Sequence, residues 1–317
     1  MANTRSHIDR QEGFSLVELL VVMVISLLFA IAIFGIFNAF TRQNNQTMAT
    51  QDMWQQGRVA LYMMQQDIGK AGYGLEPQSC AATIHAVSVT YHSTTPGLVK
   101  NIIVSTGVTG LDLASIPLGN VNAGDGAITL TAPTGSALTT ATPILLRAQQ
   151  AGGGCVTDTI NAVGSTSISL NNPSPFSAIA YAANPQAVTY SLAPATPAST
   201  TPASTTTPCA ALGSLDRGTS TSPAAPVACG VIAMSAECNY QNGTAPQTCI
   251  GGVDANGDLL QSIQLAILIG SARSDRQYHG PTSFTMPSGA VVATKSDHRY
   301  TLLQGIIPLR NYYVVPQ

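Results

Sequence analysis

An almost unbroken apolar run over residues 16–40, holding a single carboxylate at Glu18, constrains this 317-residue chain more than any other feature. About 20 consecutive apolar residues suffice for a helix to span a bilayer. An ionised side chain in hydrocarbon costs ~2.5–3.5 kcal/mol on insertion scales, so an acid at such a place implies a function and a partner. The preceding residues 1–13 are too polar to be the apolar core of an ordinary secretory signal. Arg5 and Arg10 precede the run and Arg42 follows it, so basic residues alone do not orient the span. A plain membrane anchor would account for the length. It would not account for Glu18.

Helical spacing continues past Arg42, although the composition turns to Gln, Asn and Thr. Trp54, Gly57, Leu61, Met64, Ile68 and Ala71 recur at three- and four-residue steps and predict one buried face. Gln55, Arg58, Gln65 and Gln66 fall on the other face. Proline is absent between Phe14 and Glu76, and Gly72-Tyr73-Gly74 with Pro77 predicts the stop. A continuous helix from Phe14 to Gly72 would be ~90 Å long at about 1.5 Å per residue.

The block Gly13-Phe14-Ser15-Leu16-Val17-Glu18-Leu19-Leu20 resembles the class III signal of type IV prepilins and type II secretion pseudopilins. The resemblance implies cleavage after Gly13 by a prepilin peptidase and N-methylation of the new terminus, Phe14. It also implies that Glu18 guides assembly by pairing with the Phe14 amine of a neighbouring subunit. Each charge would relieve the other's cost in low dielectric. The family usually has Lys or Arg directly before the glycine, where this chain has Gln11-Glu12. The segment from Arg58 to Leu61, the run Asp67-Ile68-Gly69-Lys70-Ala71-Gly72-Tyr73 and the near-terminal Leu309-Arg310-Asn311 resemble PilW-like minor pilins. Together these resemblances cover the first quarter of the chain and its last few residues.

Beyond residue 73 helical periodicity disappears and Ser, Thr, Ala and Gly dominate. Strands are predicted at Val87-Ser88-Val89-Thr90-Tyr91, Ile102-Ile103-Val104 and Val188-Thr189-Tyr190-Ser191-Leu192. The strongest covers residues 260–269, with Ile263, Leu265, Ile267 and Ile269 on one face. The expected fold is α+β, a long N-terminal helix packed on a β-rich C-terminal globular domain, as in pilins. The expected organisation is a leader (1–13), a transmembrane and polymerisation helix (14–40), its amphipathic continuation (41–72) and β-rich regions at 73–192 and 209–317. Between the latter, residues 193–208 contain P-A-S-T-T twice. Such a Pro/Thr/Ala tract cannot bury a core and reads as a linker between regions or an insertion within one sheet.

The six cysteines Cys80, Cys155, Cys209, Cys229, Cys238 and Cys249 all follow the apolar run. An even number on an exported side favours disulfides. Six allow fifteen pairings, of which local closure prefers Cys209 with Cys229 and Cys238 with Cys249, leaving Cys80 with Cys155. A bridge closing ~15 residues contributes about 3 kcal/mol in the chain-entropy model. Zinc and thiol catalysis are disfavoured, since there is no C-x-x-C and no histidine between Cys229 and Cys249.

Asp254, Asn256 and Asp258 are spaced as in the start of a calcium loop, but Leu259 and Leu265 stand where glycine and glutamate belong. Asn256-Gly257 before a strand reads better as a hairpin turn. Gly152-Gly153-Gly154 lacks a following lysine, and the histidines 85, 92, 279 and 298 are dispersed. Asp275, Arg276 and His279 come without a nucleophile motif. No cofactor, metal or enzyme is expected.

Charged residues are 9% of the chain and the net charge is −2, which gives no footprint for nucleic acid. The expected function is a minor pilin in the bacterial inner membrane, with its C-terminal domain periplasmic, that primes or joins a type IV pilus. Its expected partners are the lipid bilayer, prepilin peptidase, the inner-membrane assembly machinery, the major pilin and other minor pilins. A type II secretion pseudopilin and a membrane-anchored periplasmic binding or adhesive protein are the alternatives.

Overall fold

The computed structural model describes residues 15–73, 85–107, 126–129, 140–141, 143–148, 155–164, 167–172, 179–183, 185–194, 209, 213–219, 222–243, 249, 259–272, 274–275 and 277–309. The chain divides into two compact units, Met1–Gln51 and Asp52–Gln317. One helix, α1 (Leu16–Gly69), begins in the first and ends in the second. The Ser15 carbonyl accepts from the Glu18 and Leu19 amides at its start. Polar side chains within the helix find partners on it: the hydroxyls of Ser26, Thr41, Thr47 and Thr50 donate to carbonyls three or four residues back. At the far end Lys70 N and Ala71 N donate to the Asp67 and Ile68 carbonyls, a tighter winding than the α-helix. Gly72 then turns to φ +75°. The helix therefore ends at Gly69, one short turn before the expected Gly72.

Fifteen strands follow among the described residues: β1 (Val87–Tyr91), β2 (Val99–Gly107), β3 (Ala127–Thr129), β4 (Pro143–Ala148) and β5 (Cys155–Val163), then β6 (Ser167–Leu170), β7 (Ile179–Ala183), β8 (Pro185–Ala193), β9 (Ser214–Thr219) and β10 (Ser222–Cys229), and finally β11 (Val231–Tyr240), β12 (Leu260–Gly270), β13 (Ser283–Thr285), β14 (Val291–Ala293) and β15 (Tyr300–Pro308). They form five-stranded sheets β1-β2-β8-β9-β10 and β3-β6-β5-β4-β7, a three-stranded sheet β11-β12-β15 and the pair β13-β14. Every pairing is antiparallel. The chain is thus α+β, one long helix and a β-rich domain. The strands flanking the Pro/Thr/Ala tract, β8 and β9, pair directly with Ala193 opposite Ser214, so both belong to one sheet.

The second half of α1 supplies the centre of the main core. Met53, Gly57, Ala60, Leu61, Met64 and Ile68 are its buried residues. They join Val99, Ile102, Val104 and Tyr190 of the first sheet and Ile263, Leu265, Ile267, Leu303 and Ile307 of the three-stranded sheet. Trp54 was expected on this face, but it is 41% exposed. Met53, one residue earlier, takes the buried position, and Trp54 instead lies under the Arg58 guanidinium at 5.7 Å. Gly57 is a point of close approach: a Cβ there would come within 1.9 Å of Leu303 Cδ1 and 2.5 Å of Ile269 Cδ1. The strand over residues 260–269 has a second use. Ala266 and Leu268, on the face opposite Leu265 and Ile267, meet Met286, Ala290 and Val292 in a smaller cluster.

Gly230 carries the chain from the first sheet into the three-stranded one. Its amide donates to Gly213 O, and its carbonyl accepts from Gly270 N. Its φ is +79°, and a Cβ would fall 2.6 Å from the Gly270 carbonyl oxygen. Left-handed backbone costs an L-residue roughly 1–2 kcal/mol, and this clash is with backbone, which yields less readily than a side-chain tip. Gly230→Ala is expected to lower stability by about 2 kcal/mol or more, read as a lower thermal midpoint of the purified full-length protein. An unchanged midpoint would contradict the role given to this glycine.

Candidate functional site

The chemistry-bearing residue of the apolar run is Glu18, in the first turn of α1. Negative charge suits that end of a helix, where the first amides lack partners. From Ser15 to Phe40 every residue is exposed except Ala30, which is half-buried. Leu16 is 81% and Ile36 70% exposed. None of this apolar stretch is buried. Burying one Leu, Ile, Val or Phe side chain is worth about 1.5–3 kcal/mol. A surface of this kind calls for lipid or other helices around it, and the acid sits at its edge. Gly13 and Phe14, the two residues of the expected cleavage site, lie outside the described residues.

A second polar cluster, missed by the sequence reading, ties the end of α1 to the first sheet. Asp67 Oδ2 accepts from the Tyr190 hydroxyl at 2.6 Å and from Arg217 Nε at 2.8 Å. Tyr190 is fully buried. Tyr190 and Arg217 face each other across the β8–β9 pairing, so the sheet register itself brings the two donors to one carboxylate. Burial, and then the Asp67 carboxylate, pushes the Tyr190 hydroxyl well above its usual pKa of 10.0. The same carboxylate raises Arg217. The sequence signal was slight: Asp67 is an acid between buried Met64 and Ile68, and its partners lie 123 and 150 residues away.

Disulfides join Cys209 to Cys229 and Cys238 to Cys249. Cys155 is also disulfide-bonded, whereas Cys80 lies outside the described residues. Tyr91 links the second bridge to the first sheet, since its hydroxyl donates to Ala236 O and accepts from Cys249 N, both at 2.9 Å. Burial pushes this hydroxyl upward too. Asp254, Asn256, Asp258, Gly152-Gly153-Gly154 and Arg276 fall outside the described residues. Asp275 lies 3.6 Å from Arg299, whose guanidinium stacks on Tyr278 at 4.4 Å. Buried His298 holds the Ser271 carbonyl at 2.7 Å through Nδ1. These groups brace the loops on either side of β13 and β14.

With that geometry in place, residues 8–34 match the model of the prokaryotic N-terminal methylation motif. The chain carries a prepilin-type signal. Such a signal belongs to type IV pilin-like and pseudopilin-type proteins, points to a structural subunit, and together with the N-terminal apolar helix fits membrane anchoring. No match was found among curated proteins or among solved structures.

Removing the shared acceptor leaves the Tyr190 hydroxyl and Arg217 Nε without the carboxylate to which both donate. Asp67→Ala should therefore cost about 2–3 kcal/mol, measured by chemical denaturation of the full-length chain. The cluster also predicts a pH response. The folded chain holds the Tyr190 proton more tightly than the unfolded chain, so this group's contribution is complete below pH ~10 and is lost as pH rises toward the folded value. Thermal midpoints should fall above pH ~10, and Tyr190→Phe should make that fall shallower, with Tyr91 and Tyr300 shifting in the same direction.

Proposed function

We propose that the protein is a minor pilin, a subunit that primes or joins a type IV pilus after its leader is removed. The observation that carries this reading is the coincidence of a methylation motif at residues 8–34 with an acid in the first turn of an exposed apolar helix. In the proposed sequence of events, prepilin peptidase cuts between Gly13 and Phe14 and the new Phe14 amine is methylated. The chain waits in the inner membrane with its C-terminal domain in the periplasm. Assembly machinery there extracts it, and residues 16–40 exchange lipid for the same segment of neighbouring subunits. Ser26, Ala30, Ala32 and Gly35 allow close helix approach in that bundle. Glu18 sets the axial register by pairing with a neighbour's Phe14 amine, each charge offsetting the other's desolvation.

The β-rich domain, on this reading, selects which major or minor pilins stand beside it. The choice of a minor pilin over a type II secretion pseudopilin rests on the likeness of Asp67–Tyr73 and its neighbours to PilW-like proteins, since both classes share the methylation motif. The role of Asp67 as an internal tie gives that block a structural reason.

Mass spectrometry of the mature N-terminus should find N-methylated Phe14. Glu18→Ala should sharply reduce pilus number while the monomer persists in the membrane. Normal piliation in that variant, or a leader still attached in living cells, would refute the assignment.

A further inference from the structure

Among the described residues β15 has one neighbour, β12, so its other edge is open. Unpaired N–H and C=O groups on such an edge template another strand, and proteins usually guard them with charge or proline. The nine residues of β15, YTLLQGIIP, carry no charge and no proline before the last. The contrast lies within the same unit: β10, at one edge of the first sheet, carries Pro223 and Pro226. The β10 edge is guarded by proline, and the β15 edge is left ready to pair.

What stands beside the open edge gives it chemical character. A groove of about 600 Å³ runs between β15 and the outer side of α1, lined by Tyr62, Gln66, Lys70, Tyr73, Ile306 and Pro308 among others. Tyr62 is 66%, Tyr73 61% and Ile306 64% exposed, which makes three large contact surfaces in one place. Tyrosine here offers apolar area with a polar tip, the combination enriched at protein interfaces. Gln65 and Gln66 add amides, and Lys70 is the one charged side chain among the residues lining the groove.

We infer that this groove takes an extended segment of a neighbouring pilin-type subunit, added as a further strand beside β15, with an acidic side chain against Lys70. Main-chain hydrogen bonds to the open edge supply affinity in this mode, and alternate side chains reaching flanking pockets supply specificity. The tyrosines cover the apolar side chains of the incoming strand. Lys70 selects against a cationic one, because like charges facing each other at an interface are costly. The inference rests on the filament-subunit reading for the source of the strand.

The test places a photo-crosslinking amino acid at Gln304, an exposed position on β15, in the full-length chain in its own cells. The same probe at Ala225 of β10 serves as the comparison. We expect an intermolecular adduct from position 304 and none from 225. Its captured peptide should come from a chain with a prepilin-type signal and contain Asp or Glu. Ile306→Lys, which places a guarding charge on the edge, and Lys70→Glu should each abolish the adduct at unchanged protein level. Both substitutions are at exposed positions, and immunoblots check that level. An adduct confined to this chain's own polypeptide, one with lipid or a chain lacking that signal, or one indifferent to Lys70→Glu, overturns the inference. N-terminal mass spectrometry on the same cells separates the two readings. A retained leader sinks the filament reading, whereas a methylated Phe14 with no adduct sinks the groove alone.

Discussion

Between Met53 and Ala71 one helical face serves two sheets at once, and the β-rich unit is organised by that contact. Side chains from the first sheet and from the β11-β12-β15 sheet enter the same core around Ala60, Met64 and Ile68. Gly57 lets Leu303 and Ile269 come against the helix backbone, where a methyl group would already collide. Apolar packing is non-directional, so by itself it leaves a helix free to rotate or slide. The shared carboxylate of Asp67 removes that freedom, because Tyr190 and Arg217 reach it from paired positions on adjacent strands. Burial supplies most of the stabilisation, and the hydrogen bonds choose the register.

The first half of the same helix obeys the opposite rule. It is apolar on all sides, and its side chains from Ser15 to Phe40 are exposed apart from half-buried Ala30. A helix that is hydrophobic all round belongs in lipid or within a bundle. Glu18 is compatible with either only at an end or beside a counter-charge, and its place in the first turn meets the former condition. Thr41, Thr47 and Thr50 mark the change of surroundings along the helix, each folding its hydroxyl back onto the backbone.

Much of this architecture was legible in the residues. The apolar run, the helix stop near Gly72 and the strands at Val87–Tyr91 and Leu260–Gly270 follow from local spacing, which depends only on near neighbours. Trp54 was misplaced because size and hydrophobicity argued for burial, whereas the helical phase set by Gly57, Leu61 and Met64 places Met53 inside. The burial of β12 on both faces showed only as an apolar run through Ala266 and Leu268, and the cover over its second face comes from short strands with weak patterns of their own. The Asp67 cluster was beyond local reading altogether. Two of its members sit on strands whose alignment is a property of the sheet, and no spacing within any one segment encodes it.

The Cys238–Cys249 bridge does more than close a loop of separation 11. It fixes the amide of Cys249 where the Tyr91 hydroxyl can accept from it, while the same hydroxyl reaches back to Ala236 on the strand that carries Cys238. Strand β1, at one edge of the first sheet, is thereby fastened through a sulfur–sulfur bond made elsewhere in the chain. Such bonds form and persist in oxidising surroundings. In a reducing one, the fastening of that border strand would lack its anchor, so the finished surface of this domain is tied to the redox state of the compartment in which it matures.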